Sequence, residues 1–442
     1  MAAAPQPAEP PALDPARLRR AGRRSSALAP TLVFVACLAF YLGAVGLPAN
    51  GENELRGDEA HVLLTAESLA SDGDFDLANN YRQRDWILFD GPVISPTAYV
   101  IGGRLVEPQG LAFPALVAPA WAVGGVRGVE ILLAVIAALG MAAAVPVARR
   151  LAPDPWASGA VLAVGLSPPA VLAATTIAPA ATAGAVIAGA AALTLRCRES
   201  TTRAAPLGAG LLLALLPWLA PIALLPGAVV AVALFRWLRR RRRGWAGLVA
   251  IELVLVSLVF YVTLNGRLFG GITPLAASND PTAPLGAGSA ADFAARLPRL
   301  AGLWLSPEVG LLLFAPVLVL AFVSVWLLWR SRRERLARAL PEAVDIEVAT
   351  GFLVLACGAA VLTAVLLVPW FSERGPGEAL ATVLPLAGAL CAWGMRRYPA
   401  LGSVLAAIGV ALSLWLLVAG HAAGTAGLSP PAGPLPWSIL GA

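Results

Sequence analysis

The sequence predicts an all-α polytopic membrane protein: a bundle of about eleven transmembrane helices with amphipathic helices in its first outer loop. Three observations carry that prediction. Hydrophobic residues make up 58% of the 442 residues and charged residues only 13%, against roughly a quarter charged in a soluble domain. Apolar runs recur at about the 20-residue length that a helix needs to cross the hydrocarbon core. Arginines cluster in short runs between those segments, which is the pattern of a topology signal.

The chain opens on a Pro/Ala-rich stretch, residues 1–28, with Arg17, Arg19, Arg20, Arg23 and Arg24, read as a disordered basic tail. The apolar run that follows exceeds the core of a signal peptide and lacks a clear small-x-small exit, so it is read as an uncleaved anchor. The predicted spans are 29–48, 126–148, 156–175, 177–195, 204–218, 219–236, 244–265, 307–329, 348–370, 378–395 and 398–420. A tail, 421–442, follows them. Threading the chain through these spans puts 23 of the 32 arginines on one side, and 17 of the 26 acids on the other. Arginine stays cytoplasmic. The N-terminus is therefore expected inside and the C-terminus outside a bacterial cytoplasmic membrane, since arginine without lysine and heavy Ala, Gly and Pro use suit a GC-rich bacterial genome.

Other classes find no support. The net charge of +6 lies in runs beside apolar segments, which argues against a nucleic-acid partner. The four cysteines, Cys37, Cys197, Cys357 and Cys391, form no CxxC, and with only His61 and His421 no metal site is read. The cytoplasmic loops hold no Gly-rich phosphate cradle. Glu252, inside the seventh span, is expected to face the bundle, because a carboxylate facing lipid costs about 2.5–3.5 kcal/mol. Tyr261, Trp304 and Trp370 are read as interfacial anchors.

Two outer segments, 49–125 and 266–306, are long enough for chemistry. In the first, Val62, Leu63, Ala66, Leu69 and Ala70 recur at helical spacing, with Asp58, His61, Thr65, Ser68 and Asp72 on the other face. This predicts an amphipathic helix lying on the membrane, ended by Gly73. Leu111–Val123 is a second candidate. Asp58 and Glu59 fall at the helix start, where acids meet free N–H groups and the positive dipole end. A carboxylate at the lipid–water boundary is also placed to act as general base on a hydroxyl. The acids of Asp72-Gly73-Asp74-Phe75-Asp76 start like a calcium loop, but the Gly and Glu that would complete it are missing.

Arg56-Gly57-Asp58-Glu59-Ala60-His61-Val62-Leu63-Leu64-Thr65, followed by Asp72-Gly73-Asp74-Phe75-Asp76-Leu77-Ala78-Asn79-Asn80-Tyr81, resembles the first periplasmic loop of bacterial GT-C glycosyltransferases. That superfamily includes the protein O-mannosyltransferases and the aminoarabinose transferase of lipid A. Gln109-Gly110-Leu111-Ala112-Phe113-Pro114 is similar to its entry into the second membrane helix. Glu308-Val309-Gly310-Leu311-Leu312 and Arg374-Gly375-Pro376 are similar to later loop–helix junctions. The chain departs from the family where it reads Ala60-His61-Val62, Ile177-Ala178-Pro179 and Pro376-Gly377-Glu378.

The resemblance implies a GT-C-like bundle that moves a sugar, with inversion, from a polyprenyl-phosphate donor to a hydroxyl on a glycan, lipid or protein. It makes Asp58 the base. Glu59 would orient the acceptor, help hold a divalent cation or cap the helix, while His61 and Tyr81 line the site. An outer arginine would meet the leaving phosphate bidentately, Arg374 first and then Arg82, Arg84 or Arg104. A transporter or lipid flippase, and a scaffold without catalysis, are the competing readings; the sequence shows no internal repeat of the kind transporters carry.

Overall fold

The computed structural model describes residues 15–47, 55, 57–89, 93–198, 202–241, 244–279, 289–305, 310–337, 341–367 and 375–423. Arg56, Glu308, Trp370 and Arg374 lie outside them.

Helix is nearly the whole of the described secondary structure, with only isolated bridges such as Ala98–Ser278 besides. The first span, α1 (Pro15–Gly43), begins at Pro15 rather than at Ala29, so the basic stretch Arg17–Arg24 continues the span as helix. It is followed by α2 (Gly57–Ser71) and the short α3 (Ala78–Gln83). Then α4 (Ala112–Ala148) is broken at Gly125, where φ 58° and ψ −147° leave the helical region. That break separates the predicted loop helix from the predicted second span.

The third span is two helices, α5 (Trp156–Gly165) and α6 (Pro168–Thr175), bent by 62°. Its break frees carbonyls that water would otherwise take. Tyr41 Oη donates to Gly165 O at 2.9 Å, Ser413 Oγ to Leu166 O at 2.6 Å and Ser167 Oγ to Val164 O at 2.6 Å. The bundle continues through α7 (Pro179–Arg196), α8 (Ala204–Leu219), α9 (Leu224–Arg241) and α10 (Gly244–Leu268). Short helices α11 (Ala290–Ala295), α12 (Arg299–Leu305) and α13 (Leu311–Phe314) precede α14 (Val319–Arg330) and α15 (Arg332–Ala337). The last helices are α16 (Pro341–Leu362), α17 (Gly375–Ala381), α18 (Leu384–Arg397) and α19 (Pro399–Ala423).

Six helices among the described residues are long and apolar enough to cross a membrane, seven with the bent pair counted as one span. Shorter apolar helices, Ala27–Gly43, Ala204–Leu219 and Pro316–Arg330, fill further predicted spans, as does α18. The protein is thus a multi-pass membrane protein. Small residues set the closest approaches: a Cβ at Gly140 would come 2.7 Å from Ala185 Cα, and one at Gly210 would come 2.8 Å from Ala250 Cα. Such contacts supply the van der Waals packing that holds helices together where no hydrophobic drive separates them from lipid.

The chain runs back and forth between two ends. At one, Arg198 pairs with Asp345 (2.6 Å) and stacks on Trp237, while Arg335 and Arg396 both lie over Trp393. These contacts join the ends of α7, α9, α15, α16 and α18. At the other end, Gly46 meets Glu130, His421 meets Gly43 O, and residues 57–89 and 93–111 form a cap that packs against α4.

Two expectations inside the membrane are corrected. Glu252 is exposed on the face of α10 that also carries Leu248, Leu255, Val256 and Val259, so it does not point into the bundle. Its helix is buried mainly along α8, and residue 252 falls on the opposite side. Tyr261 is no interfacial anchor; it is buried edge-on against Trp218.

Candidate active site

Asp58 and Glu59 stand in the first turn of α2, as predicted. The helix ends where Gly73, at φ 76°, donates its N–H back to Ser68 O. Its two faces differ from the expectation. The apolar row Val62, Leu63 and Ala66 packs on Phe113, Val117 and Trp121 of α4. Of the polar row, His61, Thr65 and Ser68 are under 5% exposed, as is the neighbouring Glu59, while Asp58 is half-buried and Asp72 is exposed. The middle of the row is thus turned inward, where its groups find protein partners in place of water: Tyr81 for His61, the His61 carbonyl for Thr65 and Asp74 for Ser68.

The two carboxylates differ in burial. Asp58 is half-buried in the first turn of α2. Glu59 is buried and accepts the Ile177 N–H at 2.9 Å, tying α2 to the turn between α6 and α7. Near it lies Glu130, which accepts the Gly46 N–H at 2.8 Å and feels the charges of Glu59 and Arg127. The guanidinium of Arg127 packs beside Gly46. This group, at the exit of α1, escaped the sequence reading. Its signal was available: Arg127 and Glu130 are charges placed at the start of an otherwise apolar span.

Further into the cap, Tyr81 Oη lies 2.8 Å from His61 Nδ1 and donates to Glu107 Oε1 at 2.5 Å. Glu107, 2% exposed, also accepts the Thr97 N–H at 3.2 Å and the Thr97 hydroxyl. Burial, then the charge and hydrogen bond of Glu107, push the Tyr81 phenol well above its ordinary range. His61 and Tyr81, both predicted to line the site, are therefore brought together. Glu107 and Thr97 were missed, because a lone acid in a Pro/Gly-rich loop has no periodicity to mark it.

Three of the four predicted arginines are dispersed over the cap surface, and Arg374 lies outside the described residues. Arg82 turns its Nε–H onto Ala78 O, Arg84 caps α3 in the left-handed conformation, and Arg104 closes a turn with Ile101; all three are exposed. The acids of the suggested calcium loop serve the chain itself. Asp72 accepts from Asn79, Asp74 from Ser68 and the Asp76 N–H, and Asp76 from the N–H groups of Ala78 and Leu105. Among the described residues no three His, Cys, Asp or Glu side chains are grouped to hold a metal ion.

No protein-family model matches the chain, and no curated protein sequence matches it. Among solved structures it is similar to ArnT from Cupriavidus metallidurans bound to undecaprenyl phosphate, with a TM-score of 0.53 at 14% identity, covering 88% of this chain and 65% of that one. The apo state of that protein gives 0.48 at 14% identity, over 88% and 69% of the two chains. The archaeal oligosaccharyltransferase AglB from Archaeoglobus fulgidus, in complex with an inhibitory peptide and a dolichol-phosphate, gives 0.48 at 15% identity, over 93% and 57%. The chain thus spans a little under two thirds of the length of the ArnT structure. The likeness is one of fold: this chain has a GT-C-like bundle.

Proposed function

We propose that the protein is a glycosyltransferase that takes a sugar from a polyprenyl-phosphate carrier, with Asp58 as general base. The observation that carries this reading is the position of Asp58. It is a half-buried carboxylate in the first turn of α2, next to Glu59, which ties that turn to Ile177 between α6 and α7. A fold shared with a protein that has been seen with undecaprenyl phosphate supports the choice of donor.

In the proposed reaction the acceptor oxygen attacks the anomeric carbon while the bond from that carbon to the phosphate oxygen breaks. The proton of the hydroxyl passes to Asp58, and the lipid phosphate leaves as an anion. General-base help of this kind is worth about 10²–10⁴-fold in rate. The departing charge needs fixed donors. Arg374 and Arg127 are proposed for that task, the second because it stands beside Glu130 at the exit of α1. Glu59 holds the first turn of α2 in place through Ile177. The proposed site faces outward from the cytoplasmic membrane.

Mass spectrometry of envelope glycans tests the proposal. A strain lacking the gene is expected to lose one sugar modification. The wild-type chain should restore it, and an Asp58→Asn chain at equal abundance should not. An unchanged glycan profile in the deletion strain would count against a transferase.

A further inference from the structure

The end of the bundle opposite the cap carries a feature that sugar transfer does not use. It lies where α14 runs into α15. The inner face of α14 is Leu320, Ser324 and Leu328, one residue per turn and all buried, and Ser324 Oγ accepts the Gly394 N–H of α18 at 2.7 Å. The outer face is Val319, Phe322, Trp326 and Trp329, at steps of three and four, and all four are exposed. The two tryptophans are the most open of them, at 53% and 72%.

Arg330 follows, and Arg333 stands one turn after it. Backbone bonds from the Ser331 N–H to Leu327 O and from the Arg335 N–H to Ser331 O carry the row across the junction. At about 1.5 Å per residue, Val319 to Trp329 covers about 15 Å, half of a hydrocarbon core of roughly 30 Å. The row is thus apolar over the depth of one leaflet, aromatic towards its edge and cationic beyond it.

The charges at the junction are divided. Arg332 reaches Glu347 Oε2 at 3.1 Å, and Arg335 holds the other oxygen of that carboxylate, so both are neutralised from α16. Arg330 and Arg333 are exposed, and among the described residues neither is in an ion pair. Arg330 lies over the Trp326 ring, 5.6 Å from its centre. Four arginines here meet two acids, Glu334 and Glu347, so the junction keeps a positive excess on its exposed side. A guanidinium stacked on an aromatic ring still offers its fork of N–H donors to a phosphate.

We propose that this row binds one anionic phospholipid from the leaflet at the end opposite the cap. Its acyl chains lie along Val319 and Phe322, the tryptophans flank its glycerol, and Arg330 and Arg333 hold its phosphate. A zwitterionic lipid gains less, because its own cation competes with the arginines, whereas a net negative headgroup is drawn to both. A second copy of the chain is disfavoured as occupant, since a symmetric contact would set the same two cations against each other.

Native mass spectrometry of the full chain, released from nanodiscs of equal phosphatidylglycerol and phosphatidylcholine, tests this. The wild-type chain should keep phosphatidylglycerol in preference. Arg330→Gln and Arg333→Gln should each lower that preference about fivefold, the equivalent of about 1 kcal/mol for one arginine. Arg397→Gln, which removes an exposed charge at the same end, should leave it unchanged. In a second measurement, brominated phosphatidylglycerol should quench tryptophan emission more than brominated phosphatidylcholine does, and Trp326→Phe/Trp329→Phe should shrink that difference. No preference in the wild type, an equal loss in Arg397→Gln, or a quenching difference untouched by the double Phe variant would overturn the proposal. So would a second copy of the chain retained in place of lipid.

Discussion

Asp58 and Glu59 are neighbours in the chain with opposite surroundings. Asp58 is half-buried, whereas Glu59 is buried and receives a backbone N–H from 118 residues away. Deleting the Glu59 acceptor strands that buried donor, at a cost of about 1–3 kcal/mol. Glu59→Ala is accordingly expected to lower the thermal midpoint in detergent by more than Asp58→Asn, which keeps a hydrogen-bonding side chain of the same size at the helix start. Equal midpoints for the two variants would contradict this division. Tyr81 gives a second prediction at this scale. Its folded value is raised, so the stabilising effect of the neutral phenol is present below the ordinary value of about 10 and is lost as pH rises through the folded one. Phenolate absorbance rising near about pH 10 should then be the same in wild type and Tyr81→Phe; a smaller rise in the variant would argue against a protected phenol. The sequence made Asp58, Glu59, His61 and Tyr81 visible, because two head a helix and all four lie in one motif. Glu107 and Glu130 stayed hidden, since what defines them is partners far off in sequence, Tyr81 and Thr97 for one and Gly46 for the other.

Helix α2 shows the limit of periodicity as a guide to surroundings. Its alternating faces mark a helix correctly, yet the pattern is the same whether the polar row meets water or buried partners. The sequence indicated the helix and its Gly73 stop; only the cap contacts reveal that the middle of the polar row, His61, Thr65 and Ser68, is inside as well. In α4 the sequence suggested two elements, and the structure joins them through Gly125. With φ 58° and ψ −147° that residue occupies a region essentially reserved for glycine, and a Cβ there would meet no neighbour within 4 Å. Gly125→Ala should thus cost about 1–3 kcal/mol through backbone strain alone, seen as a lower unfolding midpoint. At the α5–α6 bend, Tyr41→Phe and Ser413→Ala each remove one donor from a freed carbonyl. Each should cost about 0.6–1.7 kcal/mol, the range for hydrogen bonds between membrane helices. Stability unchanged in both would mean the bend is held by something else. Glu252 reverses the usual direction. On an apolar outer face its charge is a cost, so Glu252→Leu should hold or raise stability in lipid, and a clear loss would point to a bound partner there.

Across the molecule, the alternation of apolar spans was the most legible property, because composition decides it and no long-range contact is needed. The two ends agree with the charge pattern. Arginines over Trp237, Trp245, Trp326, Trp329 and Trp393 collect at one end, and the cap occupies the other. Guanidinium over indole is a favourable pairing at a membrane boundary. Cysteine labelling tests which end faces out. Of the native cysteines, Cys37, Cys197 and Cys391 are buried and Cys357 is half-buried, so background should be low. Gln83→Cys in the cap should react with an impermeant maleimide on intact cells, and Arg397→Cys only after permeabilisation; the opposite pattern would invert the protein. The central claim is chemical, and turnover tests it most directly. Purified wild type and Asp58→Asn should be compared for sugar transfer from a polyprenyl-phosphate donor and for binding of undecaprenyl phosphate. Transfer should fall about 10²–10⁴-fold with lipid binding kept. Transfer at the wild-type rate by the Asn variant would contradict the account.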